Sequence, residues 1–203
     1  MNDAALSQLI IDWIRLDSAR LQALEWAAQC ADIHNMEQWC LAAGFVRNLV
    51  WDRLHGFCNQ ENAQSMIQVE HTHHSNALND IDLIYFCPLD FRPERDLAIE
   101  AYLRQLSPAL PWSVKNQARM HLKNHDRAYT SCEDAMSHWP ELETAVAVTQ
   151  DLKSGEWRIL APFGLQSLFN LQLTHNPLRK RAVFETRIAD KGWLTRYPQL
   201  SLR

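Results

Sequence analysis

Two stretches of helical periodicity open the chain. From Ala4 to Leu16 the apolar residues Leu6, Leu9, Ile10, Trp13 and Ile14 recur at the three- and four-residue spacing of one helix face. Leu21, Leu24 and Ala28, with Trp26 nearby, predict a second helix over Ser18 to Ala31, so the pair reads as an antiparallel N-terminal hairpin. His34 to Gln38 reads as a turn. Trp39 to Ala43 is short and apolar and stops at Gly44, which predicts a strand ending where the backbone must bend, then a helix. Val46, Leu49, Val50 and Leu54 give that helix its buried stripe, leaving Arg47, Asn48, Asp52 and His55 on or beside the opposite face.

Phe57 to Asn79 loses all periodicity and reads as a long loop rich in Asn, Gln, Ser and His. Asp80 to Phe86 then alternates as a strand, with Ile81, Leu83 and Tyr85 on one face and Asp80, Asp82, Ile84 and Phe86 on the other. Pro93 opens a helix running to Leu106. Trp112 to Leu122 alternates again: Ser113, Lys115, Gln117, Arg119 and His121 share the polar parity, while Asn116 interrupts the apolar one. A short helix is expected over Ser131 to His138, with Ser131 and Asp134 at capping-box spacing, and a hairpin over Thr144 to Thr149 and Glu156 to Leu160. Leu165 to Leu173 and Leu178 to Ala189 predict the last helices, the second carrying Arg179, Lys180, Arg181 and Arg187. The expected fold class is α+β, in one domain over residues 1–203: a helical hairpin at 1–33, a core of sheet and helices at 39–160, and a helical appendage at 164–203.

Composition narrows the function classes. With 203 residues, 47% apolar and 22% charged, the chain can bury a sizeable core, which excludes disorder and collagen-like repeats. The five glycines stand alone at 44, 56, 155, 164 and 192, so no Gly-rich phosphate or dinucleotide loop is present. A net charge of -4 provides no global field for polyanions, so any nucleic acid would need a local basic patch. No apolar run approaches the roughly 20 residues of a membrane span, and the N-terminus lacks a basic signal-peptide start, so a cytoplasmic location is expected. Five cysteines without a CxxC pair suit reduced, structural thiols.

The chemistry concentrates at Asn79-Asp80-Ile81-Asp82-Leu83-Ile84-Tyr85. Residues two apart on a strand share a face, about 6.5 to 7 Å apart, so the carboxylates of Asp80 and Asp82 can converge on a divalent cation. Mg²⁺ takes one or two carboxylates plus substrate phosphates, so such a pair suffices for nucleotide chemistry. A DxD in isolation also suits a plain strand end, with Asp80 a turn residue. Upstream, Gly44 at a helix start and Arg47 in its first turn offer backbone N–H groups and a charged donor to phosphate.

The order strand, Gly, helix, long loop, DxD strand, helix, strand resembles the nucleotidyltransferase fold of the DNA polymerase β superfamily. The runs Ala43 to Gly56, Asn79 to Phe86, Trp112 to His121 and Ala161 to Leu165 are similar to a family of bacterial nucleotidyltransferase-like proteins, over nearly the whole chain. The resemblance implies a small mixed sheet with helices on one side, Asp80 and Asp82 as the catalytic, metal-binding pair, and Gly44 as the glycine of the phosphate turn. Phe45 stands where the family signature has Ser, which passes phosphate contacts to Arg47 and Asn48. On the following strand, Lys115, Asn116, Gln117 and Arg119 become nucleotide-binding candidates. A third acid is expected there, yet no Asp or Glu occurs from Ala101 to His125. Glu133, Glu141 and Glu143 are the acids a neighbouring segment could supply.

Two functions follow from the resemblance. One is a transferase that uses Mg²⁺ or Mn²⁺ and moves a nucleoside monophosphate from a nucleoside triphosphate to a hydroxyl acceptor: a small molecule, a protein or an RNA end. The other is a nucleotide-binding or regulatory protein on the same fold, degenerate for want of the third acid. His71, His73 and His74 carry a separate metal reading, against a polar loop that is rich in His by chance. The basic run at 179–181 is a solvated face or a receiver of phosphate.

Overall fold

The computed structural model describes residues 1–57, 78 and 80–203. Helices α1 (Asp3–Leu16) and α2 (Ser18–Ile33) are separated by Asp17 alone, which ends the first and caps the second by accepting from the Arg20 N–H. Strand β1 (Trp39–Ala42), helix α3 (Gly44–Leu54), strand β2 (Ile81–Tyr85), helix α4 (Pro93–Leu106) and strand β3 (Trp112–Asn116) follow. Short helices α5 (Met120–Asn124) and α6 (Cys132–Met136) lead to the hairpin of β4 (Ala147–Gln150) and β5 (Trp157–Leu160). The chain closes with α7 (Gln166–Phe169), β6 (Gln172–Leu173), α8 (Arg181–Lys191), α9 (Trp193–Arg196) and β7 (Ser201–Leu202).

Among the described residues the main sheet has five strands in the order β3-β2-β1-β4-β5, with β2 and β3 parallel and the other neighbours antiparallel. Registration sorts its side chains into rows. Leu41 lies between Leu83 and Val148, and Leu83 pairs with Val114, so one face carries a continuous row of large apolar groups. These join Ile10, Leu24, Trp51, Leu103 and Phe184 in the principal core, which draws on α1 to α4 and on α8. The next row reads Ser113, Asp82, Ala42, Ala147, Leu160 and belongs to the other face. There Cys40, Ala42, Ile84 and Ala147 form a smaller cluster under Cys132 and Met136 of α6.

The structure departs from the periodicity at several points. The strand expected over Trp112 to Leu122 stops at Asn116, because the Asn116 side chain accepts from the Ala118 N–H and caps a 3-10 turn over Gln117–Arg119 that runs into α5. The helix expected from Leu165 to Leu173 is four residues long and gives way to β6, which pairs with β7 at the C-terminus. Arg179 and Lys180 precede α8 instead of riding on it. The face of α3 opposite its apolar stripe is covered: Asp52 accepts from the Tyr197 hydroxyl at 2.9 Å and from Arg196 at 3.3 Å, and Arg47 lies under Trp193. The bend before α3 falls at Ala43, with φ 54° and ψ -120°, while Gly44 is already helical. No helix among the described residues is long and apolar enough to cross a membrane.

Candidate active site

Antiparallel pairing of β1 with β2 sets Asp82 opposite Ala42, so the carboxylate strand begins beside the residues that turn into α3. Ala43, Asp82, Thr144 and Arg187 line a cavity of about 860 Å³ that extends past His138, Trp139 and Pro140 to Lys123, Asp126, Arg179 and Lys180. Its size falls within the roughly 300 to 1,000 Å³ usual for small-molecule sites. The small side chains of Ser113 and Ala42 flank Asp82 in its row, where the opposite face carries leucines and valines.

Asp80 is exposed and meets Lys191, the last residue of α8, at 3.8 Å. Asp82 lies deeper. Burial and the neighbouring Asp80 charge push its carboxyl above the usual range, while a hydrogen bond from Ser113 and the charges of Lys191 and Arg47 oppose the rise. Two neighbouring carboxylates at the start of β2, the inner one short of counter-charge, form a donor set that gains from a divalent cation. Among the described residues no third His, Cys, Asp or Glu joins them in a metal-holding group.

Helix α3 begins without a side-chain cap, since Ala43 has no side-chain acceptor to offer its first N–H groups. Gly44 permits a close approach: a Cβ there would stand 3.2 Å from the Asn48 amide and 3.6 Å from the Arg47 guanidinium. Asn48 folds back to accept from Arg47 Nε at 3.2 Å and Nη2 at 2.9 Å, and Arg47 Nη1 donates to Thr144 at 2.8 Å. The guanidinium lies 4.5 Å from the Trp193 ring and 5.1 Å from Trp51. Burial lowers its pKa to about 10, so it remains charged at neutral pH. Arg47 and Asn48 are thus brought to the site but are engaged with each other, with Thr144 and with the tryptophans.

The candidates on β3 and beyond lie elsewhere. Lys115 pairs with Ile84, two rows along from Asp82, and its amine donates to the Val114 carbonyl. Asn116 is fully buried: its amide donates to the Cys87 and Asp90 carbonyls and its oxygen accepts from the Cys87 and Ala118 N–H groups. Gln117 donates to the Lys115 carbonyl. Arg119 ion-pairs at 2.5 Å with Asp96 of α4, which also accepts from Tyr85 on the principal core face. None of the four lines the cavity. Glu141, fully buried, is held by Arg187 at 2.6 Å, Glu143 accepts from the Thr174 N–H, and neither Glu141 nor Glu143 nor Glu133 is among the lining residues. His71, His73 and His74 lie outside the described residues.

Sequence reasoning missed Ser113, Thr144, the walls at Lys123 to Asp126 and His138 to Pro140, and the α8 stripe of Val183, Arg187 and Lys191. Only Ser113 carried a signal, through its parity with Lys115; the walls are assembled by contacts far apart in sequence. Residues 29–202 match the model of a family described as Nucleotidyltransferase. A solved structure whose description reads that the NMR structure reveals a CCA-adding enzyme head domain is similar over 97% of this chain and 95% of its own, at 29% identity and a TM-score of 0.75. No curated protein matches. The sheet, the DxD strand and the uncapped helix agree with the polymerase β-like fold expected above, and with nearly the whole chain matched the protein belongs to the nucleotidyltransferase family.

Proposed function

We propose that the protein transfers a nucleoside monophosphate from a nucleoside triphosphate to a hydroxyl acceptor with the help of a divalent cation. The observation that carries this reading is the pair formed by Asp82 on β2 and Asp80 just before that strand, with Asp82 lining the cavity beside Ala43 at the uncapped start of α3. In the reaction an acceptor oxygen bonds to the α-phosphorus, the bond to the bridging oxygen breaks, pyrophosphate leaves, and the hydroxyl proton passes to solvent. Asp80 and Asp82 would hold Mg²⁺ or Mn²⁺, which when bound neutralises phosphate charge and polarises the reacting oxygens.

The chain's own groups do the positioning. Ser113 lies opposite Asp82 on the paired strand, and its hydroxyl favours the charged carboxylate. The first N–H groups of α3, at Gly44 and beyond, face anionic oxygens favourably because the helix dipole adds to them. Arg47, clamped by Asn48 and Thr144, contributes a fixed positive charge beneath that turn. Trp139 and Val183 supply apolar wall to the cavity.

A second reading, nucleotide binding with slow or no transfer, is favoured by one observation: the neighbour of Asp82 on β3 is the hydroxyl of Ser113, and Glu141 is committed to Arg187. Incubation with each labelled nucleoside triphosphate and Mg²⁺ or Mn²⁺, with and without cell extract, separates the two. Labelling by the wild type and its loss in Asp80→Ala, Asp82→Ala supports transfer. Equal labelling by both sinks it, and metal-dependent binding without labelling selects the second reading.

A further inference from the structure

We propose that the cavity contains a second anion site, built on Lys123 and Lys180, that takes the phosphate of a phosphate-bearing acceptor. The inference rests on the transfer reading, since it names the class of molecule that would receive the nucleotide. Its starting point is charge. The cavity is lined by Lys123, Arg179, Lys180 and Arg187 against the carboxylates of Asp82 and Asp126, a positive excess in a chain whose net charge is -4. A concave wall with a net positive charge focuses the field onto an anionic ligand.

These cations divide into engaged and unengaged. Arg179 grips both oxygens of Asp126, at 2.8 Å through Nη1 and at 2.5 Å through Nη2, and Arg187 holds Glu141 at 2.6 Å. Lys123 and Lys180 have no ion-pair partner among the described residues. The Asp126–Arg179 clamp also ties together the two segments that bear them, since Lys123 is three residues before Asp126 and Lys180 directly follows Arg179. The pair is therefore held as a unit, and Asp126 adds no uncompensated negative charge beside it.

Position separates this unit from the metal-binding carboxylates. Lys180 is the N-cap of α8 and Lys191 its last residue, and Lys191 is the one that reaches Asp80. At 1.5 Å per residue those positions are about 16 Å apart along the helix. Lys180, Val183 and Arg187 form one stripe on the cavity side, so the cavity follows α8 as far as Arg187, one turn short of Lys191. A nucleotide whose phosphates lie at Asp80 and Asp82 leaves the Lys123 and Lys180 end to the other reactant. Two ammonium groups with three donors each suit a phosphate and discriminate against a neutral sugar or alcohol.

The phosphate could belong to a small ester or to the end of an oligonucleotide, and the test distinguishes these sources. Binding of adenosine, adenosine 5′-monophosphate and a short oligoribonucleotide with a 3′-hydroxyl is measured by calorimetry for the wild type, for Asp80→Ala, Asp82→Ala and for Lys123→Ala, Lys180→Ala. Binding of a metal-loaded nucleoside triphosphate is measured beside them. The expected result is that the phosphate-bearing probes bind the wild type and the aspartate variant alike, and weaken about tenfold or more in the lysine variant. Triphosphate binding should hold within about twofold in the lysine variant, which also reports that it is folded. Preference for the monophosphate assigns the site to a small ester, and preference for the oligonucleotide with a steep salt dependence assigns it to a strand end. Adenosine binding as well as the monophosphate, or unchanged probe affinity in the lysine variant, overturns the proposal. So does a triphosphate loss as large as the probe loss, because the cations would then serve the donor nucleotide. Failure of the wild type to bind metal and triphosphate sinks the transfer reading instead, and leaves the probe comparison to be read separately.

Discussion

Along β1, Trp39 and Leu41 point to one face of the sheet and Cys40 and Ala42 to the other, and the rows they belong to differ in bulk throughout. On the first face Leu41, Leu83, Val114 and Val148 adjoin one another and meet helices from both ends of the chain. On the second, Ala42 and Ala147 pack under α6, and beside them Ala43 and Asp82 border a space that other segments wall but do not fill. The same two-residue alternation thus separates stability from chemistry. A carboxylate like Asp82, held above its usual range by burial and by Asp80, is tolerable only on the face that contributes less packing.

The sharpest way to break that division is to attack the first face at its polar anchor. Asp96 accepts from the Tyr85 hydroxyl at 2.7 Å and pairs with Arg119, so Asp96→Ala strands both partners and is expected to cost about 3 to 5 kcal/mol in chemical denaturation. Leu41→Ala should follow at about 2 to 5 kcal/mol, with transfer per folded molecule nearly unchanged. A loss of turnover without a loss of stability would show that the first face is part of the site.

On the second face the signs reverse. Asp82→Asn is expected to lower transfer at least about a hundredfold, the equivalent of about 2.7 kcal/mol, in the labelled-nucleotide assay. It should also raise Tm at pH 7. A carboxyl whose folded pKa lies above its unfolded value holds its proton more readily in the native state, so the wild type loses stability as pH rises through that value. The Tm gain of Asp82→Asn should therefore shrink as pH falls below the unfolded carboxylate range; a gain that grows on acidification would contradict the burial of Asp82. The smallest effect is expected at Arg127, an exposed side chain that pairs with Asp134 of α6 and does not line the cavity. Arg127→Ala should change stability by less than about 1 kcal/mol and leave transfer alone.

What could be foreseen follows from how local each cause is. Helix α4 begins at Pro93 and ends at Leu106 as its periodicity predicts, and β2 alternates as expected because the signals lie within the segments. The end of β3 at Asn116 was also a local event, but periodicity alone does not register that an asparagine oxygen can cap the next turn. The periodicity places Arg47 and Asp52 on or beside the face opposite the apolar stripe but does not register what covers them, because Trp193, Arg196 and Tyr197 arrive from about 145 residues away in the chain. The carboxylate pair was legible for the same reason as β2. The cavity around it was not, since Lys123, Trp139 and Arg187 meet only after the chain has folded.

Ala43 holds a backbone conformation, φ 54° and ψ -120°, that a residue with a side chain adopts at a cost of about 1 to 3 kcal/mol. Its N–H donates to the Val146 carbonyl, so the neighbouring strand keeps the kink in place and α3 starts in a fixed direction. For anyone remodelling this scaffold, that makes Ala43 a point where hardiness and aim compete. Selection for heat tolerance would be drawn to Ala43→Gly, which relaxes the kink, while selection for turnover would be expected to discard the same change.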